Sequence, residues 1–327
     1  MRLPKTTRIV PALAAGFALF LPAAASAAVT IDWVSVGDVG NPADSTGYGA
    51  VGYNYKISKY EVTLGQYAEF LNAKAKTDTY GLYNTSMGTD MNIAGIRQSG
   101  VVGSYTYSVI GSSNRPVTYV SWFDAARFCN WMHNGQGTGD TESGAYALSG
   151  EMTGVNSAAN SESLYRIPTE DEWYKAAYYD PTPGASGNNY WLYPTQSDSP
   201  VGNQIGGTAG ANYYNGDFAR DQNGLPTALT DVGAYGMYSD SYYGTFDQGG
   251  NVWEWNDAVI GSTRGLRGGS WSTGGVSLQS SLRNYFVPAD ENSSIGFRLA
   301  TVPEPSSVLM VVLGGVASAA RRRRPTL

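Results

Sequence analysis

The sequence predicts one body of short strands, few helices and long ordered loops, on the strength of its composition and of its sparse periodicity. The 327 residues include 41 glycines and 24 tyrosines, and only 15% are charged, a mixture that suits strands and turns rather than a helical bundle. Helical spacing of apolar side chains behind a capping residue occurs at Thr63, Ser121 and Thr169. From Gly184 to Gly244 the chain is rich in Gly, Asn, Tyr and Asp without a period. A loop of about sixty residues inside a compact body needs some fixing agent. No repeat of fixed period interrupts this pattern.

The elements follow in order. Ile31 to Val36 alternates apolar and polar residues as a strand does, and Tyr53 to Ile57 can pair with it across a Gly-rich connection. Thr63 stands three residues before Gln66, the spacing of a capping box, and Leu64, Tyr67, Phe70 and Leu71 share one face of the helix that follows. Pro116 to Val120 reads as a strand. Ser121 caps a second helix, on which Trp122, Ala125, Phe128, Cys129 and Met132 recur at helical spacing and turn Cys129 inward. Thr169 and Glu172 form another capping box behind Pro168, with Trp173, Ala176 and Ala177 on the buried side.

Both ends read as addresses. Arg2, Lys5 and Arg8 precede an apolar stretch from Ile9 to Leu21, and Ala25-Ser26-Ala27 offers small residues for cleavage, so residues 1–27 are expected to be a secretory signal peptide and the mature chain to start near Ala28. At the other end, residues 302–327 hold Pro303-Glu304-Pro305, an apolar run from Val308 to Ala320 and four arginines, Arg321 to Arg324. A run of about 15 apolar residues spans a bilayer only marginally, and the arginines hold the end on the cytoplasmic side. The prolines keep the tripeptide extended and open to a processing enzyme. This tail resembles the PEP-CTERM sorting signal of Gram-negative surface proteins. The resemblance implies export through the inner membrane, transient membrane insertion, recognition at Pro303, Glu304 and Pro305 by an exosortase-type enzyme, and a destination at the cell surface, outer envelope or extracellular matrix. A plain C-terminal anchor is the alternative. Between the two ends, residues 28–301 are enough for one large domain or two small ones.

The residue inventory restricts the chemistry. Cys129 is the single cysteine and His133 the single histidine, so no internal disulfide and no site of several imidazoles can form. His133, at the end of its expected helix, reads as a cation meeting the last carbonyls. The net charge of −6, with no basic cluster between the two ends, argues against a nucleic-acid partner.

Across the body, Glu61-Val62-Thr63, Pro116 to Ala125, Cys129-Asn130-Trp131, Arg166 to Trp173, Gly249 to Trp255, Arg267-Gly268-Gly269-Ser270-Trp271 and Ile295-Gly296-Phe297-Arg298 resemble the successive motifs of the sulfatase-modifying factor family, which includes the formylglycine-generating enzymes. The resemblance implies a single α+β domain of the formylglycine-generating type, C-type-lectin-like, with low regular secondary structure and bound structural calcium. Matching positions place one calcium on the side chains of Asp247 and Glu254 and the carbonyls of Gly250 and Val252, and a second on Asn212, the carbonyl of Tyr213, and Asp221 or Asn223. Calcium takes six to eight oxygens, and Gly249-Gly250 allows the tight path such a turn requires. A solvated acidic turn is the other reading of the same residues.

The resemblance breaks at the catalytic metal. Formylglycine-generating relatives hold copper on two cysteines shortly after the Arg-Gly-Gly-Ser motif, because thiolates suit Cu(I). Here that stretch runs Ser272 to Gln279, with Thr273 at the first cysteine position. Relatives of the ergothioneine type carry iron on histidines of an added helical domain, which this sequence lacks. Neither copper nor iron is expected. Two readings follow: a non-catalytic calcium-stabilised module that binds exopolysaccharide or matrix, and an oxidoreductase whose altered, non-copper site would draw on Arg283, Tyr285 or Arg298. Arg267 and Arg298 are expected to hold loops through forked hydrogen bonds.

Overall fold

The computed structural model describes residues 28–182, 189–206, 210–220 and 225–301. Strand β1 (Trp33–Val36) pairs antiparallel with β2 (Tyr55–Ser58), and β2 pairs with β9 (Ala300–Thr301), so both ends of the body share one sheet. Strands β3 (Ile96–Ser99) and β4 (Thr106–Val109) form a separate hairpin. The largest sheet has the order β7-β6-β5-β8. It is built from β5 (Trp253–Ile260), β6 (Thr263–Arg267), β7 (Asn284–Phe286) and β8 (Ile295–Gly296), with β8 parallel to β5.

The helices are α1 (Leu64–Lys74), the one-turn α2 (Ser86–Thr89), α3 (Trp122–His133) and α4 (Glu170–Tyr178). Thr63, Ser121 and Thr169 each close a capping box, with Gln66, Asp124 and Glu172 as the returning side chains. Each box satisfies two backbone donors that the first helical turn leaves free. The buried face of α1 contains Leu64, Tyr67, Phe70 and Leu71. Helix α3 is buried all round except at its last residue, and its polar groups are matched locally. Arg127 pairs with Glu142, and the Asn130 amide donates to the carbonyls of Thr141 and Tyr146. Cys129 is fully buried in the same cluster.

Three expectations are corrected. The first two strands are shorter than the alternation suggested, because pairing reaches only from Trp33 to Val36 and from Tyr55 to Ser58. Pro116 to Val120 is not a strand: Pro116 makes an isolated bridge to Thr63, and Tyr119 has φ 59°, which breaks the extended path. His133 does end α3, but its Nδ1 accepts the Leu164 N–H, so that nitrogen carries no proton.

The long Gly- and Asn-rich stretch has no named helix or strand among its described residues. Buried side chains fix it instead. Asn203 donates to the carbonyls of Tyr213 and Asp217, and the Tyr235 hydroxyl donates to the Asn203 carbonyl. No helix among the described residues is long and apolar enough to cross a membrane. The apolar run of the tail, Pro303, Glu304 and Pro305 lie outside the described residues, as does the N-terminal signal segment.

Candidate functional site

The loop Phe246 to Val252 and the first residues of β5 carry two buried carboxylates, Asp247 and Glu254. Glu254 is fully buried. Arg298, just beyond β8, forks onto it with Nε to Oε2 at 2.6 Å and Nη2 to Oε1 at 2.7 Å, while the Trp173 indole donates to Oε2 at 2.7 Å. Arg298 also donates to the carbonyls of Ser58 and Phe246, so it ties three segments together. Oε2 of Glu254 then has both lone pairs engaged, whereas Oε1 keeps one. Asp247 accepts the Gly233 N–H at 2.5 Å. Burial is the main cause that pushes its carboxyl up to about 6, against the opposing pull of that N–H and of Arg298.

Glu61 completes the cluster. Its carboxyl is buried and neither oxygen has a hydrogen-bond partner. Burial first, then the charges of Asp247 and Glu254, push it well above the usual carboxylate range, with Arg298 opposing. Three carboxylates and one guanidinium carry two negative charges in excess when ionised. Such an excess is costly away from water unless a cation balances it. Sequence reading named Asp247 and Glu254 but missed Glu61. With Lys59 only two residues before it, nothing in the sequence marks this carboxyl as unpartnered.

The positions named for calcium are brought together in part. Gly250 has φ +91°, and a Cβ there would lie 2.2 Å from the Asn212 carbonyl oxygen. That same oxygen accepts the Asn251 N–H at 2.7 Å, so the glycine turn is seated on Asn212. The Asn212 amide donates to Ala228 and Asn251, while its Oδ1 is buried without a partner. The Tyr213 carbonyl accepts from Asn203. Asp221 and Asn223 lie outside the described residues. Val252 is fully buried at the entry to β5. Among the described residues no three His, Cys, Asp or Glu side chains form a metal cage by themselves. Any calcium here would need main-chain carbonyls as well, which this ion accepts. The unpartnered oxygens of Glu61, beside Asp247 and Glu254, and of Asn212, at the glycine turn, are each the hard donor type that calcium takes.

The segment after β6 is built for packing. Arg267 is buried against Glu170 and donates to the carbonyls of Ser280 and Leu282. Thr273 closes a turn: its hydroxyl accepts the Ser270 N–H at 2.9 Å and donates to the Ser270 carbonyl at 3.1 Å. Arg283, Tyr285 and Arg298 do not converge. Arg283 pairs with Glu170, Arg298 with Glu254, and Tyr285 stands exposed on β7. Besides a cavity of about 600 Å³ that Glu61, Thr63, Asn114 and Val232 help to line, a second open space adjoins Trp271. A cavity of about 430 Å³ is lined by Met91, Asn92, Arg115, Phe218, Thr227 and Trp271 among others. Phe218 packs at 5.8 Å from Trp271 and 5.1 Å from Tyr214.

This order of motifs on these elements has a counterpart among known proteins. The family model described as "Sulfatase-modifying factor enzyme 1-like domain" matches residues 48–302. The chain belongs to this family. A second model, the PEP-CTERM protein-sorting motif, matches residues 301–324 and marks this sulfatase-modifying factor-like domain for export and sorting at the cell envelope. Hercynine oxygenase of Mycolicibacterium smegmatis is 25% identical over 282 residues, covering 76% of this chain and 53% of the relative. The inactive Cα-formylglycine-generating enzyme 2 of Bos taurus is 26% identical, covering 57% of this chain and 50% of the relative. The chain therefore spans about half the length of the curated relatives it matches. The crystal structure of CarF, 24% identical, superposes with a TM-score of 0.52 over 84% of this chain and 99% of that one. It shares the fold, α+β with little regular structure.

Proposed function

We propose that this domain is a non-catalytic, calcium-stabilised member of its family, delivered to the cell envelope through its sorting tail, where it binds extracellular polysaccharide or matrix. The observation that carries the non-catalytic part is Thr273. At the position of the first copper-binding cysteine stands a hydroxyl already spent on both sides of the Ser270 peptide. The single thiol, Cys129, is buried in α3, and burial pushes its pKa well above the ordinary thiol value, the opposite of what a metal-binding thiolate needs. The hercynine oxygenase and the inactive formylglycine-generating enzyme among the relatives show that the same fold serves proteins named for activity and proteins named for its loss.

Calcium would be held by Asp247, the free lone pair of Glu254 and the carbonyls of Gly250 and Val252, with the buried carboxyl of Glu61 adding negative charge beside it. Its charge would cancel the excess of the cluster and fix the loop on which Asn212 rests. Binding is assigned to the aromatic loops around Trp271. Tyr214 and Phe218, packed in series against Trp271, are exposed, and aromatic faces stack on the C–H faces of sugars while amides meet hydroxyls.

The deciding experiment incubates the protein with a sulfatase-type cysteine peptide, copper, reductant and O₂, and weighs the product. No aldehyde is expected from the parent or from Cys129→Ala. Copper-dependent aldehyde that vanishes in Cys129→Ala would replace this reading with the enzymatic one.

A further inference from the structure

Resting on the carbohydrate-binding reading above, we propose that the cavity beside Trp271 is a subsite for the carboxylate-bearing sugar of an acidic polysaccharide, with Arg115 as the carboxylate receptor. The starting point is the use of arginine in the body. Nine arginines fall within the described residues, and seven of them, at 127, 166, 220, 264, 267, 283 and 298, make ion pairs. Of the remaining two, Arg97 is exposed on the β3–β4 hairpin, where water solvates it. Arg115 is half-buried, lines the cavity, and has no acidic partner among the described residues.

Among the described residues, the other part-buried guanidinium groups are paired and this one has no carboxylate. This is so in a chain of net charge −6, in which a carboxylate to pair with was easily supplied. The fork of a guanidinium matches a carboxylate with two parallel hydrogen bonds. Around Arg115 the lining divides into ring faces and small polar groups. Trp271 and Phe218 offer flat apolar surface, Met91 adds an exposed thioether, and Asn92 and Thr227 supply an amide and a hydroxyl. A volume of about 430 Å³ falls in the range of small-ligand pockets and suits one or two sugar rings of an extended chain. A hexuronate unit meets all of these groups at once. A nucleic acid would also stack on Trp271, but its affinity comes from many phosphates on many cations, and one arginine in an acidic body does not supply them.

The test uses the full chain in mild detergent, following Trp fluorescence and calorimetry with an oligogalacturonate, its carboxyl-reduced neutral counterpart, and a single-stranded oligonucleotide. Variants are Arg115→Gln and Trp271→Phe, each first shown to melt as the parent does. The acidic oligosaccharide is expected to bind, to weaken with added salt, and to lose roughly tenfold or more in affinity both in Arg115→Gln and on carboxyl reduction. Trp271→Phe is expected to weaken the acidic and reduced sugars by the same factor, as loss of stacking surface does. Equal binding of acidic and reduced sugars, an unchanged affinity in Arg115→Gln, or an oligonucleotide that binds as tightly would overturn the subsite. Retention of neutral-sugar binding in that case would leave the broader carbohydrate reading standing. Binding of neither sugar would remove both.

Discussion

At the residue scale, the buried cluster of Glu61, Asp247, Glu254 and Arg298 holds more negative than positive groups. A carboxylate with no hydrogen bond is worth replacing if nothing binds it, and worth keeping if a cation does. Glu61→Gln is therefore expected to melt at or above the parent in chelator and clearly below it in millimolar calcium, since a ligand of the folded state stabilises by mass action. Equal melting points of both proteins in both buffers would dismiss calcium from this cluster. Asp247 adds a pH signature. Its folded pKa of about 6 lies above the ordinary aspartate value, so the folded protein holds the proton more tightly. Its contribution to metal-free stability is full below about pH 4 and is lost as pH rises through 6. Calcium competes for the ionised form, so the calcium-induced rise in Tm should grow over the same interval, and Asp247→Asn should flatten that growth. Removing the cation of the fixed pair is harsher. Arg298→Met leaves Glu254 buried and uncompensated, at a cost of about 3–5 kcal/mol, measurable by urea unfolding.

At the element scale, the helices were legible because their signals are local. A capping residue, its partner three positions on, and an apolar face of 3.6 period sit within a dozen residues, and all three boxes are present in the fold. Thr169→Ala should cost about 1 kcal/mol, read as a lower urea midpoint at unchanged slope. Pro116 to Val120 misled because apolar alternation says nothing about whether a partner strand exists. Here Val117 and Tyr119 bond instead to Val62 and Asn292 on two different segments. The Gly- and Asn-rich loops gave no signal at all, since what orders them is a set of amide and hydroxyl bonds between residues far apart in the chain. The glycine turn before β5 lies between these cases. Its Gly-Gly pair was visible, but only the fold shows that Gly250 presses on the Asn212 carbonyl. Gly250→Ala combines a positive φ with a backbone clash and is expected to cost at least about 1–3 kcal/mol, with loss of any calcium response.

At the scale of the whole molecule, the order of the motifs made the family readable, while the candidate sites were read unevenly. Asp247 and Glu254 came from the turn that carries them. Glu61 and Arg115 did not, because what distinguishes each is a neighbour missing among the described residues, which is visible only in three dimensions. Mass spectrometry of the surface form is expected to find a start near Ala28 and an end near Pro303-Glu304-Pro305, and an intact Arg321 to Arg324 segment there would refute exosortase handling. The place of β9 gives that trimming a strict margin. Ala300 and Thr301 pair with β2, which pairs with β1, and Ala300 also bridges to Arg166. The sorting motif begins at the residue after this bridge. The sheet that holds β1 and β2 thus needs the last body residues to be complete. A trimming cut placed two residues too deep would strip this edge strand and leave the main-chain groups of β2 on that side without a partner.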